Sequence, residues 1–79
     1  MKLWVISQDE NGGYDVYDSA VVAAETEDAA RNTMPSEYEE WGRAYSSWCS
    51  APDKVKVELI GDALPGTKPG VIVASFNAG

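Results

Sequence analysis

Apolar and polar positions alternate over several stretches of the chain, and each such stretch predicts a strand. In Lys2–Gln8, Leu3, Val5 and Ser7 alternate with Trp4, Ile6 and Gln8. Apolar residues fall on both faces, so this strand is expected where both faces are at least partly covered. Asp9-Glu10-Asn11-Gly12-Gly13 follows as a turn, because Asn-Gly supplies the positive φ angles of a tight hairpin. A long strand is then predicted over Tyr14–Ala24. Tyr14, Val16 and Asp18 lie on one face, and Asp15, Tyr17 and Ser19 on the other. The continuous apolar run Ala20–Ala24 breaks this alternation, and a bulge near Asp18-Ser19 would account for the change of face. The cleanest alternation comes later, in Lys54–Gly61. There Val55, Val57 and Leu59 are expected inward, and Lys54, Lys56 and Glu58 outward. Val71–Phe76 is the fourth predicted strand, after a loop that contains Leu64-Pro65-Gly66 and Lys68-Pro69-Gly70.

Between the second and third strands the pattern changes. Thr26 is a good N-cap, with Glu27 and Asp28 in the first turn where the helix dipole favours negative charge. The helix is predicted over Glu27–Thr33, with Ala29 and Ala30 facing the sheet and Met34-Pro35 ending it. Ser36 and Glu39 form a capping box, compatible with one or two further turns before Gly42. The segment Arg43–Ser50 shows no clear period, so residues 37–51 are left open between helix and loop. Their tryptophans and tyrosines either fold back as a lid on the sheet or face a partner. These elements predict one α+β domain over residues 1–79. It is a small, mostly antiparallel four-stranded sheet in the order β-β-α-(short α)-β-β, with helical material on one face.

Size and composition narrow the chemistry. A chain of 79 residues buries only about 60% of the surface it exposes when unfolded. The lone Cys49 excludes an intrachain disulfide, and with no secretion signal a reducing cytosol is the expected compartment. The longest apolar run, Ala20–Ala24, is far too short to span a bilayer. There is no histidine, and the common zinc patterns require His or several Cys, so no metal or cofactor is expected. Gly12-Gly13 precedes a strand and lacks the lysine of a phosphate-binding loop. Asp15 and Asp18 point to opposite faces of a straight strand, which disfavours their cooperation as a catalytic pair. Cys49 has no histidine to activate it and is expected as a small buried thiol. An enzyme is therefore not expected.

Charge carries the remaining signal. Thirteen acidic residues oppose six basic ones, for a net charge of −7. Such a chain repels nucleic acid and anionic membranes and favours basic protein surfaces, although solubility alone also accounts for charge of this size. Ten of the thirteen acids fall in three groups: Asp9, Glu10, Asp15 and Asp18; Glu25, Glu27 and Asp28; Glu37, Glu39 and Glu40. Capping explains Glu27, Asp28 and Glu39 locally, whereas Asp15/Asp18 and Glu37/Glu40 have no such local reason. Carboxylates interleaved with rings suit an Arg- and Lys-rich groove, through bidentate pairs and guanidinium stacking. Asp15, Tyr17, Asp18, Glu37, Glu39, Glu40, Trp41 and Tyr45 are the candidate partner-binding residues.

The run Gly13-Tyr14-Asp15-Val16-Tyr17-Asp18-Ser19-Ala20-Val21-Val22-Ala23-Ala24-Glu25 resembles a family of small proteins encoded by bacteriophages and prophages. So do Val57–Gly61 and Pro69–Gly79, and the resemblance covers most of the chain outside Glu37–Ala51. It speaks to origin more than to activity. In size and acidity the chain is also similar to phage anti-CRISPR proteins, particularly inhibitors of type I surveillance complexes. What this implies is a counter-defence protein in the cytoplasm of an infected bacterial host. It would bind a subunit of such a complex and block target DNA by acidic mimicry or steric occlusion, without binding nucleic acid itself. The alternative is a phage accessory or structural protein that acts through homo-oligomer or virion assembly.

Overall fold

Strand formers and alternation place the first strand, β1, at Lys2–Ser7, and the second, β2, at Val16–Ala24. The computed structural model describes residues 1–12, 14–36, 41 and 47–78. Within them a helix, α1, covers Glu27–Arg31, and a single 3-10 turn covers Pro52–Lys54. Strand β3 is Lys56–Asp62 and β4 is Gly70–Asn77. The four strands form one antiparallel sheet in the order β3-β1-β2-β4. The molecule is thus an antiparallel sheet with little helix. The further helical turn expected after Ser36 lies outside the described residues.

The core grows from one face of the two central strands. Trp4 and Ile6 of β1 lie opposite Val22 and Ala20 of β2. These residues cluster with Ala24, Ala30, Trp48, Cys49 and Val55, all buried. Small side chains in β2 and α1 let the backbones approach closely, and the indole N–H of Trp4 donates to the Ala24 carbonyl at 3.0 Å. Ile6 and Val22 are fully enclosed, and truncating a buried residue of this kind to Ala removes about 1–5 kcal/mol. Trp48 is buried and Trp41 packs against the same cluster, so the tryptophans of the middle segment lie against the core.

Several local expectations are revised. Thr26 caps α1 as expected, its Oγ1 accepting from the Ala29 N–H at 3.1 Å. The helix nevertheless stops at Arg31, because Asn32 Nδ2 and Thr33 Oγ1 donate to the carbonyls of Asp28 and Ala29 and close the end early. Ala30 is buried but Ala29 is exposed, since five residues offer the sheet too narrow a stripe for both. In β3, Val55 is buried just before the strand and Val57 packs on the core, but Leu59 is 51% exposed at the sheet edge. The other face of β1 is also less covered than its apolar pattern suggests. Leu3, Val5 and Val21 are only half-buried, and no described helix lies over them. Val5, Val21 and Val73 sit side by side there and help line a shallow groove of about 240 Å³.

Candidate functional site

The connection between β1 and β2 is not the tight hairpin that Asn11-Gly12 predicts. It spans residues 8–15, and a buried side chain organises it. Gln8 follows β1 with 7% of its surface exposed. Its Nε2 donates to the carbonyls of Asn11 at 2.7 Å and Tyr17 at 3.0 Å, and its Oε1 accepts the Asn11 N–H at 2.7 Å. One amide side chain thus satisfies the backbone of a turn that the strand ladder does not reach. Asn11 in turn donates through Nδ2 to the Trp48 carbonyl at 3.3 Å, tying the loop to the core segment.

The neighbouring acids are absorbed into the same scaffold. Asp9 pairs with Lys56 at 2.8 Å. The hydrogen bond from Lys56, and then its charge, lower the Asp9 carboxyl below its ordinary value. Glu10 accepts from the Ser50 N–H at 2.8 Å and from Ser50 Oγ at 3.0 Å, and these bonds lower its pKa, the hydroxyl contributing most. Both carboxylates therefore clamp the loop onto β3 and the segment around residue 50.

Asp15 and Asp18 remain. The expected bulge is present: the pairing of β2 with β4 shifts between Tyr17 and Ser19, leaving Asp18 as the extra residue. Beyond it, Val16 and Tyr17 pair with β4 alone, and the Tyr17 N–H donates to the Ser47 carbonyl at 2.7 Å. The left-handed backbone of the connection falls on Asp15 (φ 61), whose N–H donates to the Asn77 carbonyl. Aspartate is among the few residues that tolerate this region. The loop and the bulge enclose an open cleft of about 410 Å³, lined among others by Gln8, Tyr14, Asp18 and Asn77. Tyr14 is 74% exposed at its mouth, and both aspartates are exposed. Neither aspartate makes an ion pair among the described residues.

The candidate residues thus separate. Asp18 lines the cleft, and Asp15 lies exposed just before β2. Tyr17 is half-buried and stacks obliquely on Phe76, with ring centroids 4.9 Å apart. Trp41 is half-buried against the core. Glu37, Glu39, Glu40 and Tyr45 lie outside the described residues. Of the second acidic group, Glu27 pairs with Arg31 at 3.2 Å, while Glu25 and Asp28 are exposed. Gln8 is the residue that pattern reading missed: as the last polar residue of an alternating strand it looks like an ordinary turn flank.

Chemically the cleft offers acceptors. Among the described residues no group of three or more His, Cys, Asp or Glu is placed to hold a metal ion. Cys49 is fully buried, and that burial pushes its thiol pKa up while its S–H donates to the Ala51 carbonyl at 3.6 Å. No described helix is long and apolar enough to cross a membrane. Comparison with protein-family models, curated proteins and solved structures yields no match.

Proposed function

We propose that this chain is a non-catalytic protein-binding module that presents its acidic end to a basic protein surface. In this proposal it is a phage counter-defence protein of the anti-CRISPR kind, acting in the cytoplasm of an infected bacterial host. It binds a subunit of a type I surveillance complex and blocks target DNA by acidic mimicry or occlusion, without itself binding nucleic acid or membrane. The full arrangement is β-β-α-(short α)-β-β, with the helical material packed on one face. Glu37, Glu39, Glu40, Trp41 and Tyr45 then add a second acidic and aromatic strip to Asp15, Tyr17 and Asp18.

The observation that supports this function best is the mouth of the loop cleft. The exposed Tyr14 lines it together with Asp18, Asp15 follows Tyr14 directly in the chain, and no described cation pairs with either carboxylate. The other two acids of the same loop are consumed by structural contacts, so Asp15 and Asp18 are the ones left for a partner. Carboxylates so placed accept bidentate bonds from arginine, and the ring accepts a guanidinium on its face.

The decisive experiment is a gel shift of target DNA by a purified type I surveillance complex, with and without this protein. The expected outcome is loss of the shifted band as the protein is added, with the inhibition weakening in salt. Undiminished DNA binding at excess protein refutes the proposal. Asp15→Asn combined with Asp18→Asn should relieve inhibition at least tenfold while leaving the fold intact, because asparagine also tolerates a left-handed backbone.

A further inference from the structure

The Asn11-Gly12 pair has no conformational task in this fold. In a two-residue hairpin both central positions need a positive φ, which is why the pair predicts one. Here the loop is longer, and the left-handed backbone falls on Asp15 instead. Gly12 does not take a left-handed φ, and a Cβ there would meet nothing within 4 Å. The position is exposed and lies past the last pairing of β1 with β2, at Ser7 and Ser19. A small side chain would fit as well as none. What the glycine does is chemical: with no Cβ, it leaves its own nitrogen unscreened from the side chain that precedes it, and asparagine is a thermolabile residue. The chain has three asparagines, Asn11, Asn32 and Asn77, followed in turn by Gly12, Thr33 and Ala78. Only Asn11 precedes a glycine.

We propose that Asn11 is a site of spontaneous deamidation in the folded protein. The Gly12 nitrogen attacks Cγ of Asn11. A bond forms between that nitrogen and Cγ, the bond from Cγ to Nδ2 breaks, and Nδ2 leaves as ammonia with the proton from the Gly12 nitrogen. Water then opens the cyclic imide at either carbonyl, giving aspartate or isoaspartate. Each product carries a carboxylate where the amide was neutral. The bonds that Gln8 and the Trp48 carbonyl make hold Asn11 by its N–H, its carbonyl and Nδ2, and they do not engage the Gly12 nitrogen. The products undo that arrangement. Both lose the Nδ2 donor to the Trp48 carbonyl. Isoaspartate also inserts one carbon into the main chain between the N–H and the carbonyl that Gln8 bridges. Asn11 and Gly12 line the cleft together with Tyr14 and Asp18, so the new charge appears on its wall. The reaction needs only this loop and water, so it stands whether or not the cleft receives a basic protein.

Ageing the intact, folded chain in warm, mildly alkaline buffer tests the site, read by isoelectric focusing and by mass spectrometry of its peptides. The expected result is a band more acidic by one charge that grows with time, with aspartate and isoaspartate both mapped to residue 11. Gly12→Ala should slow the conversion at least tenfold with an unchanged far-UV circular dichroism spectrum, since its Cβ has room. Urea below the unfolding transition should leave the rate unchanged. A band that stays single through weeks of ageing overturns the proposal. So does conversion at Asn32 or Asn77 in place of Asn11, or a Gly12→Ala chain that converts as fast as the unmodified one. A rate that climbs with low urea places the reaction in the unfolded chain and is equally fatal. Should Gly12→Ala unfold, the peptide map and the urea series on the unmodified protein decide the matter by themselves.

Discussion

Gln8 and Glu10 do most of the work of shaping the β1–β2 loop, and they do it differently. Gln8 is enclosed and makes three hydrogen bonds, two of them through one amide nitrogen. Gln8→Ala strands the Asn11 N–H and two carbonyls in a part-buried site. A loss of about 1–3 kcal/mol in urea unfolding is expected, the range for buried groups left unpaired. Glu10 is exposed and acts through its charge on Ser50. Its pKa is lower folded than unfolded, so its contribution is present above the unfolded value, near about 4, and is lost as pH falls through the lowered folded one. Glu10→Gln keeps one acceptor but cannot titrate. The stability gap between the two proteins should therefore be widest at neutral pH and close in acid, as read from urea midpoints across that range. A gap that stays constant with pH would assign Glu10 a purely steric role.

At the scale of elements, periodicity located every strand within two residues, because each strand places part of its apolar set in one core. The bulge was also legible. Just after Asp18 the alternation gives way to the continuous apolar run Ala20–Ala24, and the pairing with β4 shifts at that point. Three things were less legible, each for a physical reason. The hairpin signal of Asn11-Gly12 lost to a side chain, since Gln8 satisfies the turn through tertiary contacts that local propensity does not encode. The end of α1 was set by Asn32 and Thr33 reaching back to carbonyls, two residues before the expected stop. The partition of the acids was hidden as well. Asp9 and Glu10 are adjacent to the candidate pair in composition, yet their partners Lys56 and Ser50 are about forty residues or more away in the chain. Strand lengths also differed: β2 begins at Val16 rather than Tyr14, since Asp15 turns left-handed and Tyr14 leaves the ladder.

At the scale of the whole molecule, the main core cluster among the described residues lies on one face of the sheet. Trp4, Ile6, Val22 and Trp48 gather on the face that also receives Ala30 and Val55. On the opposite face, among the described residues, Ala23 is buried while Leu3, Val5 and Val21 are half-buried, so apolar residues on both sides of the strand did not imply two equal covers. The strand order β3-β1-β2-β4 has a kinetic consequence. Only the central pair is joined by nearby residues, as in Ser7 with Ser19. Both outer pairings close loops of about fifty to sixty residues, from Ser7 with Lys56 and Ala23 with Gly70 to Lys2 with Asp62 and Val16 with Asn77. The entropy of those closures must be met before the outer contacts repay it, which places folding on the millisecond-to-second scale typical of non-local β topologies. Stopped-flow refolding followed through the buried Trp4 and Trp48 should show that slow phase, with no completed microsecond transition. The first hairpin is then a template that waits for its two flanks, and the chain spends that interval with both sides of its central pair open to the wrong strand.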